Sequence, residues 1–451
     1  MLSRFTILFL TIIIFAHSLI LTRLIFFPYP ELFVYPYLAN RGLKPYAQIL
    51  DQHFPGPMFF PINLDNLGMN DETAARIWSI GIVVLVHILL FFISSKILKS
   101  NKKALLVNVL FLIWHPFFEG WVLWIDSFLP ILLLPSFYLL HKNKLLLSGL
   151  FLGSAIVFKQ VLIPLSILVG IYILWRSRSL RNAMEYIFGL SIPISLMIIY
   201  IFSIGVFKDF WYWTVIFNLT TFAQYGRGEV ADFAHFSRVA LVFGAACLVF
   251  FKIKDKSSQI LGIFLIGSLI GLSTRFDFVH FQPALPFAAL ATVYGLGKLG
   301  GLGKLGKIFI IGYILIAIWW LNIFYKGHIG DKIFFFDNQT KTVAKKIKQY
   351  TKEDEKIFVF GAPPHLYQMA NRLPAGNIFV FQFPWFLKVA GDRLLDGLVN
   401  ERPKVIVSDR SVKIDGQPII EYVKDIDQYI LKNYEVIDRV GTTDILRRKM
   451  Q

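Results

Sequence analysis

Apolar runs of bilayer-crossing length recur through the first 325 residues of this 451-residue chain, and they restrict its fold more than any other feature. A span needs about 20 predominantly apolar residues, or somewhat fewer inside a bundle. Candidates lie near 5–27, 76–97, 104–118, 122–141, 145–158, 160–175, 183–205, 236–252, 258–273, 281–298 and 308–325, about eleven in all. Lipid offers no partner to an exposed backbone, so open-ended spans are helices. The spacing predicts an α-helical polytopic membrane protein. With 56% hydrophobic residues and a mean hydropathy of +0.59, the chain is more apolar than a soluble domain. Within 145–175, Lys159 and Gln160 leave two readings: a sharp hairpin, or a polar point in one long helix. Phe5–Phe27 is too long for a signal h-region and precedes no small-residue cleavage pattern, so it is expected to be a retained helix.

The formal charge of +17 is not one basic patch, which argues against a nucleic-acid partner. Basic residues fall in alternate connections: Lys96 to Lys103, Lys142 and Lys144, Arg176 to Arg181, Lys252 to Lys256, and Lys298 to Lys307. The other connections hold Glu31, Asp51, Asp65, Asp71, Glu72, Glu119, Asp126, Asp209, Glu229, Asp232 and Asp277. Lys/Arg excess marks the cytoplasmic side. The N-terminus is therefore expected inside, the acidic loops outside and, with an odd number of spans, the C-terminus outside as well. A single cysteine, Cys247, excludes a disulfide framework. The Lys- and Ile-rich composition without disulfides fits a bacterial inner (plasma) membrane.

After Tyr325 short β-like runs (356–361, 377–381, 404–408) alternate with helix-like segments (364–372, 420–433), which predicts a C-terminal extracytoplasmic α/β domain. The expected division is a transmembrane domain over 1–325, its first outward loop 28–75 carrying the site, and an outward domain over 326–451. No Gly-rich phosphate fingerprint occurs in that domain. GKLGGLGKLGK at 297–307 reads as a flexible inside loop.

The loop after the first span is no plain connector. It interleaves Glu31, Arg41, Lys44, Asp51 and His53 with aromatics and prolines. The stretch ELFVYPYLANRG reads as a short interfacial helix stopped at Gly42. A carboxyl group beside apolar surface tends toward a raised pKa and can act as a general base; equally, Glu31 could simply solvate the loop. Asp126 opens an apolar run, either as an N-cap-like residue or as a second acid in the same cavity. Lys159 is a cation among apolar residues, facing a lipid phosphate or snorkelling to the interface. Arg275, Asp277 and His280 form a third cluster, able to bind phosphate oxygens or to close on themselves as a surface pair. All three clusters fall on the outward side. The segment 206–235 adds Phe210, Trp211, Tyr212 and Trp213, which read as an interfacial belt, with Gly226 and Gly228 allowing a lid to move.

Together these residues resemble the GT-C class of polytopic glycosyltransferases, whose relatives include protein O-mannosyltransferases and the lipid A aminoarabinose transferase group. The likeness runs through Glu31, then Ala39, Gly42, Pro45 and Tyr46, then Asp51, His53, Pro55 and Gly56. It continues in Gly153, Ala155 and Lys159, in Arg275, Phe276, His280, Pro283 and Pro286, and in IFVFGAPPHLYQMANRLPA. Many of that class carry an Asp-Glu pair where this chain has Pro30-Glu31. The resemblance implies a sugar moved from a polyprenyl-phosphate donor to a glycan, lipid or protein acceptor by inverting displacement. It implies Glu31 as base and Asp51 as its support. Lys159, Arg275 and His280 would then hold the lipid-linked phosphate, with His53 and Asp126 also lining the substrate site. No cofactor is expected, since one carboxylate pair falls short of an octahedral cation site, though a divalent metal stays open. Two other classes compete: a lipid-linked-glycan flippase and a non-catalytic envelope scaffold. Transporters place charges near the midplane within inverted repeats; here the charges gather at one face and no repeat is visible.

Overall fold

A computed structural model describes residues 3–226, 231–252, 255–273, 275–296 and 304–449. Each apolar run is mostly helical over its described residues, with short strands at Phe27–Pro28 and Val122–Leu123. Among these, six helices are long and apolar enough to cross a membrane: Arg4–Arg23, Glu72–Leu98, Gln160–Ser177, Leu180–Ser203, Phe233–Phe250 and Ile310–His328. Ile125–His141, Leu145–Phe158 and Lys256–Leu272 are shorter apolar helices. Contacts gather the chain into two units. One comprises Met1–Phe27, Ala75–Met197 and Glu229–Lys332; the other comprises Pro28–Ala74, Ile198–Gly228 and Ile333–Gln451. This grouping follows contacts, whereas the linear division at 325/326 follows composition.

The first unit is the helix bundle. Its centre is Leu285–Leu296, buried on nearly every side, with Phe287 meeting Phe137 at 5.6 Å and Phe264 at 5.4 Å. Close helix approach comes from small residues, as expected where lipid supplies no hydrophobic drive between helices. A Cβ on Gly149 would come within 2.8 Å of Leu190 N, and one on Gly153 within 3.0 Å of Pro193 Cγ. The pair is a G-x-x-x-G face of Leu145–Phe158 laid on Leu180–Ser203. Lys159 then resolves the open reading of 145–175. It is an extended residue (φ −154°) between the helix ending at Phe158 and a 3₁₀ turn, Gln160–Leu162, so the polar point breaks the chain into two helices.

Three helices of this unit are tied by buried histidines. His17 Nδ1 lies 2.8 Å from His87 Nε2, and His17 Nε2 lies 3.1 Å from His115 Nδ1. Asn108 donates its Nδ2 to Ala104 O, so its Oδ1, 2.8 Å from His87 Nδ1, accepts. With neutral rings, that places Nδ1–H on His87, hence Nδ1–H on His17 and on His115. The string then runs in one direction. His17 turns opposite nitrogens to its neighbours, so the three rings do not converge on a point as metal ligands must.

The second unit holds the sheet. Strands Ile357–Phe360 and Val405–Ser408 pair in parallel, and Thr443–Arg448 and Tyr434–Val440 extend the sheet antiparallel, in the order given. The expected strands at 356–361, 377–381 and 404–408 are present, in shortened form. The terminal hairpin was hidden by its charges: Glu435, Asp438, Arg439, Asp444, Arg447 and Arg448 leave too few apolar positions to show a strand period. The first loop belongs to this unit through Ile49–Leu50, parallel to Phe379–Val380.

The structure corrects two readings here. The helix Glu31–Asn40 is buried from Glu31 to Leu38, which is the environment of a core helix rather than of an interfacial one. It does end at Gly42, whose φ is +91°. Residues 207–225 form a helix with a π-helical stretch at Tyr212–Phe222. Phe210, Trp213 and Phe217 are buried, Phe217 stacking on Phe386 at 5.2 Å, so these aromatics build core, while Trp211 is exposed. Gly226 ends that helix; Gly228 and most of GKLGGLGKLGK (297–303) lie outside the described residues.

Candidate functional site

The predicted residues sort into two clusters, one in each unit. In the second unit Glu31 stands at the first position of its helix, after Pro30, and Asp51 follows the short strand Ile49–Leu50. Asp51 is buried but well supplied with donors. Tyr35 donates its hydroxyl to Oδ1 at 3.2 Å, the His53 amide donates to Oδ2 at 3.0 Å, and His53 Nδ1 lies 3.1 Å from Oδ1. The Tyr46 hydroxyl donates to His53 O at 3.0 Å, and Asn218 donates to Gln52 O at 2.9 Å, fixing the turn. These donors fix the position and orientation of the Asp51 carboxyl group.

Glu31 has the opposite surroundings. Its Oε2 is buried without a hydrogen-bond partner among the described residues. Burial pushes its pKa up to about 8, the Asp51 charge adds to the rise, and its own backbone amide opposes it. The raised value anticipated for this position is therefore found. Two carboxyl groups of one unit are set apart by environment: Asp51 meets donors at both oxygens, while Glu31 is buried with a raised proton affinity.

In the first unit Asp126, Lys159 and His280 come together. Trp124, not Asp126, is the N-cap residue of Ile125–His141, with Ser127 Oγ accepting from its amide at 3.3 Å. Asp126 sits one position inside the helix and forms an ion pair with Lys159. His280 Nδ1 lies 3.1 Å from both Asp126 Oδ2 and Lys159 Nζ. Lys159 is buried and does not snorkel. Its charge is matched by the Asp126 carboxylate. The break at Lys159 frees its backbone from helical direction and lets the side chain reach Asp126. Gln282 ties the turn that carries His280 to the segment that leads into the Asp126 helix: it accepts from Ser127 Oγ at 2.8 Å and donates to Glu119 O at 2.7 Å. Arg275 is half-buried on the extended stretch before the turn Phe278–Ala284 that carries His280.

One group of this unit escaped sequence reasoning. The Glu119 carboxyl hydrogen-bonds that of Asp277, and Glu119 takes a positive φ of +59°. Burial first, then Asp277, push the Glu119 pKa up, against the pull of Arg238. Arg238 lies over Phe278 at 3.7 Å and Phe117 at 4.5 Å, a cation–π cage. Residues 119, 238 and 277 are far apart in the chain, and no motif joins them.

No family model and no curated protein matches this sequence. Solved structures do. ArnT from Cupriavidus metallidurans bound to undecaprenyl phosphate matches with a TM-score of 0.66 at 12% identity, over 98% of this chain and 97% of that one. The same protein in the apo state matches with a TM-score of 0.65 at 11% identity, over 98% and 97%. At this identity the likeness establishes the fold alone: apolar helices with a C-terminal sheet domain, arranged as in ArnT.

Proposed function

We propose that the protein is a membrane glycosyltransferase that moves a sugar from a polyprenyl-phosphate carrier to an extracytoplasmic acceptor. The observation that carries this reading is the whole-chain fold likeness to a structure bound to undecaprenyl phosphate. The acceptor hydroxyl or amine attacks the anomeric carbon, its proton passes to Glu31, and the bond from that carbon to the phosphate oxygen breaks. Polyprenyl phosphate leaves and the configuration inverts. Asp51, held by Tyr35 and His53, orients the acceptor, with His53 beside it. Lys159 and His280, set by Asp126, together with Arg275, hold the phosphate and stabilise the charge it gains on leaving. No resident cofactor is assigned. The protein sits in the inner membrane with the N-terminus cytoplasmic and the sheet domain outside, which the alternating Lys/Arg-rich connections support.

The test is release of label from radiolabelled polyprenyl-phosphate sugars by purified protein supplied with cell-envelope acceptors. Wild type is expected to transfer; Glu31→Gln, Asp51→Asn and Arg275→Ala are expected to fold and to fail. A wild type that binds the lipid but transfers nothing from a broad donor panel would move the flippase or scaffold reading ahead.

A further inference from the structure

Two local costs coincide in the second unit. His365 follows Pro363 and Pro364 after the strand Ile357–Phe360 and is fully buried. Among the described residues neither of its ring nitrogens has a hydrogen-bond partner. Its walls are aromatic: Phe336 edge-on at 4.5 Å, Phe33 tilted at 5.1 Å, and Phe335 stacked at 5.2 Å with the planes 16° apart. An imidazole so placed forfeits the hydrogen bonds that water would give it. Burial, the one influence on its proton affinity, pushes its pKa down to about 3, so the ring is neutral and presents one donor and one acceptor. One turn on, the buried Oε1 and Nε2 of Gln368 are also unpartnered among the described residues. Phe335, half-buried above the imidazole, has a φ of +68°, a strained conformation for a bulky residue. Strained backbone and orphaned polar atoms mark ligand sites when they occur together.

We propose that His365 and Gln368 form a subsite for an uncharged hydroxylated ligand, the ring of a sugar, and that Phe335 is the side chain covering it. Neutral groups that each donate and accept match hydroxyls, and aromatic walls pack against the C–H faces of a pyranose. A phosphate or carboxylate would enter an apolar cage at high desolvation cost. Phe335 is the partly exposed wall, so its displacement uncovers the imidazole and releases the strained φ. The inference rests on the transferase reading for where the sugar comes from, but not for the chemistry of the subsite.

The test uses full-length protein in nanodiscs and saturation-transfer NMR with methyl α-D-glucopyranoside and methyl α-D-mannopyranoside as probes. Wild type is expected to give a signal that falls at least fivefold in His365→Phe and in Gln368→Leu. His365→Phe should keep or raise the thermal midpoint, because phenylalanine completes the cage; a merely structural histidine would leave probe binding unmoved. Phe335→Gly removes cover and strain and is expected to strengthen the signal. Displacement of the probe by undecaprenyl-phosphoryl glucose assigns the subsite to the donor sugar, and persistence assigns it to the acceptor. No wild-type signal, or one unchanged in both His365→Phe and Gln368→Leu, overturns the subsite whether or not the protein transfers sugar. Probe binding without turnover of any donor defeats the transferase reading and leaves the subsite standing.

Discussion

Replacing Glu31 by glutamine separates its proton from its shape. Folding moves this carboxyl from an ordinary value of 4.5 to about 8, chiefly by burial. The folded protein thus binds the Glu31 proton more tightly than the unfolded chain. Stability from this source is complete below the unfolded value and is lost as pH rises toward the folded one. At about 1.4 kcal/mol for each tenfold change in proton binding, wild type should lose about 2.5 kcal/mol between pH 5 and pH 7 and about 1 kcal/mol more by pH 8. Above that the carboxyl is ionised in both states and the loss levels off. Glutamine has nearly the same shape and no proton to lose, so Glu31→Gln should show none of this slope. Thermal midpoints of both proteins in nanodiscs from pH 5 to 9 measure the difference, which should widen in favour of the variant up to pH 8. The same proton governs the proposed chemistry. Only about a tenth of Glu31 is ionised at pH 7 by this value, so kcat/KM for transfer should climb with pH and flatten near 8. Parallel midpoint curves, together with a rate that flattens near pH 4 to 5, would show Glu31 to be an ordinary solvated carboxylate.

The buried pair in the first unit makes a different prediction. Lys159→Met leaves Asp126 without its cation and should cost about 3–5 kcal/mol, while adding Asp126→Asn should restore much of the thermal midpoint without restoring transfer. Equal midpoints for the single and double variants would refute a paired role. Asn108→Leu removes the acceptor that orders the histidine string and strands the His87 Nδ1–H, so the midpoint should fall by the equivalent of about 1–3 kcal/mol. Nitrogen NMR of labelled histidine should then show mixed tautomers in place of uniform Nδ1–H forms.

The sequence by itself determined the class of the molecule. Runs of apolar residues punctuated by alternating basic and acidic connections admit few solutions in lipid, because every backbone group must be satisfied within its own helix. It also singled out Glu31 and Asp51 in one loop, and Lys159 and His280 in apolar surroundings where charge is costly. Gly42 stops its helix as the sequence indicated, because a left-handed residue there is a local property. Environment was not local. The helix Glu31–Asn40 looks interfacial when read alone, and only its burial from Glu31 to Leu38 makes it core and raises the Glu31 proton affinity. The aromatics at 210–217 look like a membrane belt until Phe386, about 170 residues on, is found stacked against Phe217. Asp126 could be a cap or an acid from its place in the chain, and the tertiary structure decided by bringing Lys159 and His280 to it. His17, His87 and His115 carry no common spacing, nor do Glu119, Arg238 and Asp277. Hydrogen bonds and desolvation depend on what stands within a few ångströms, and for these residues that neighbourhood is set by the packing of helices distant in the chain.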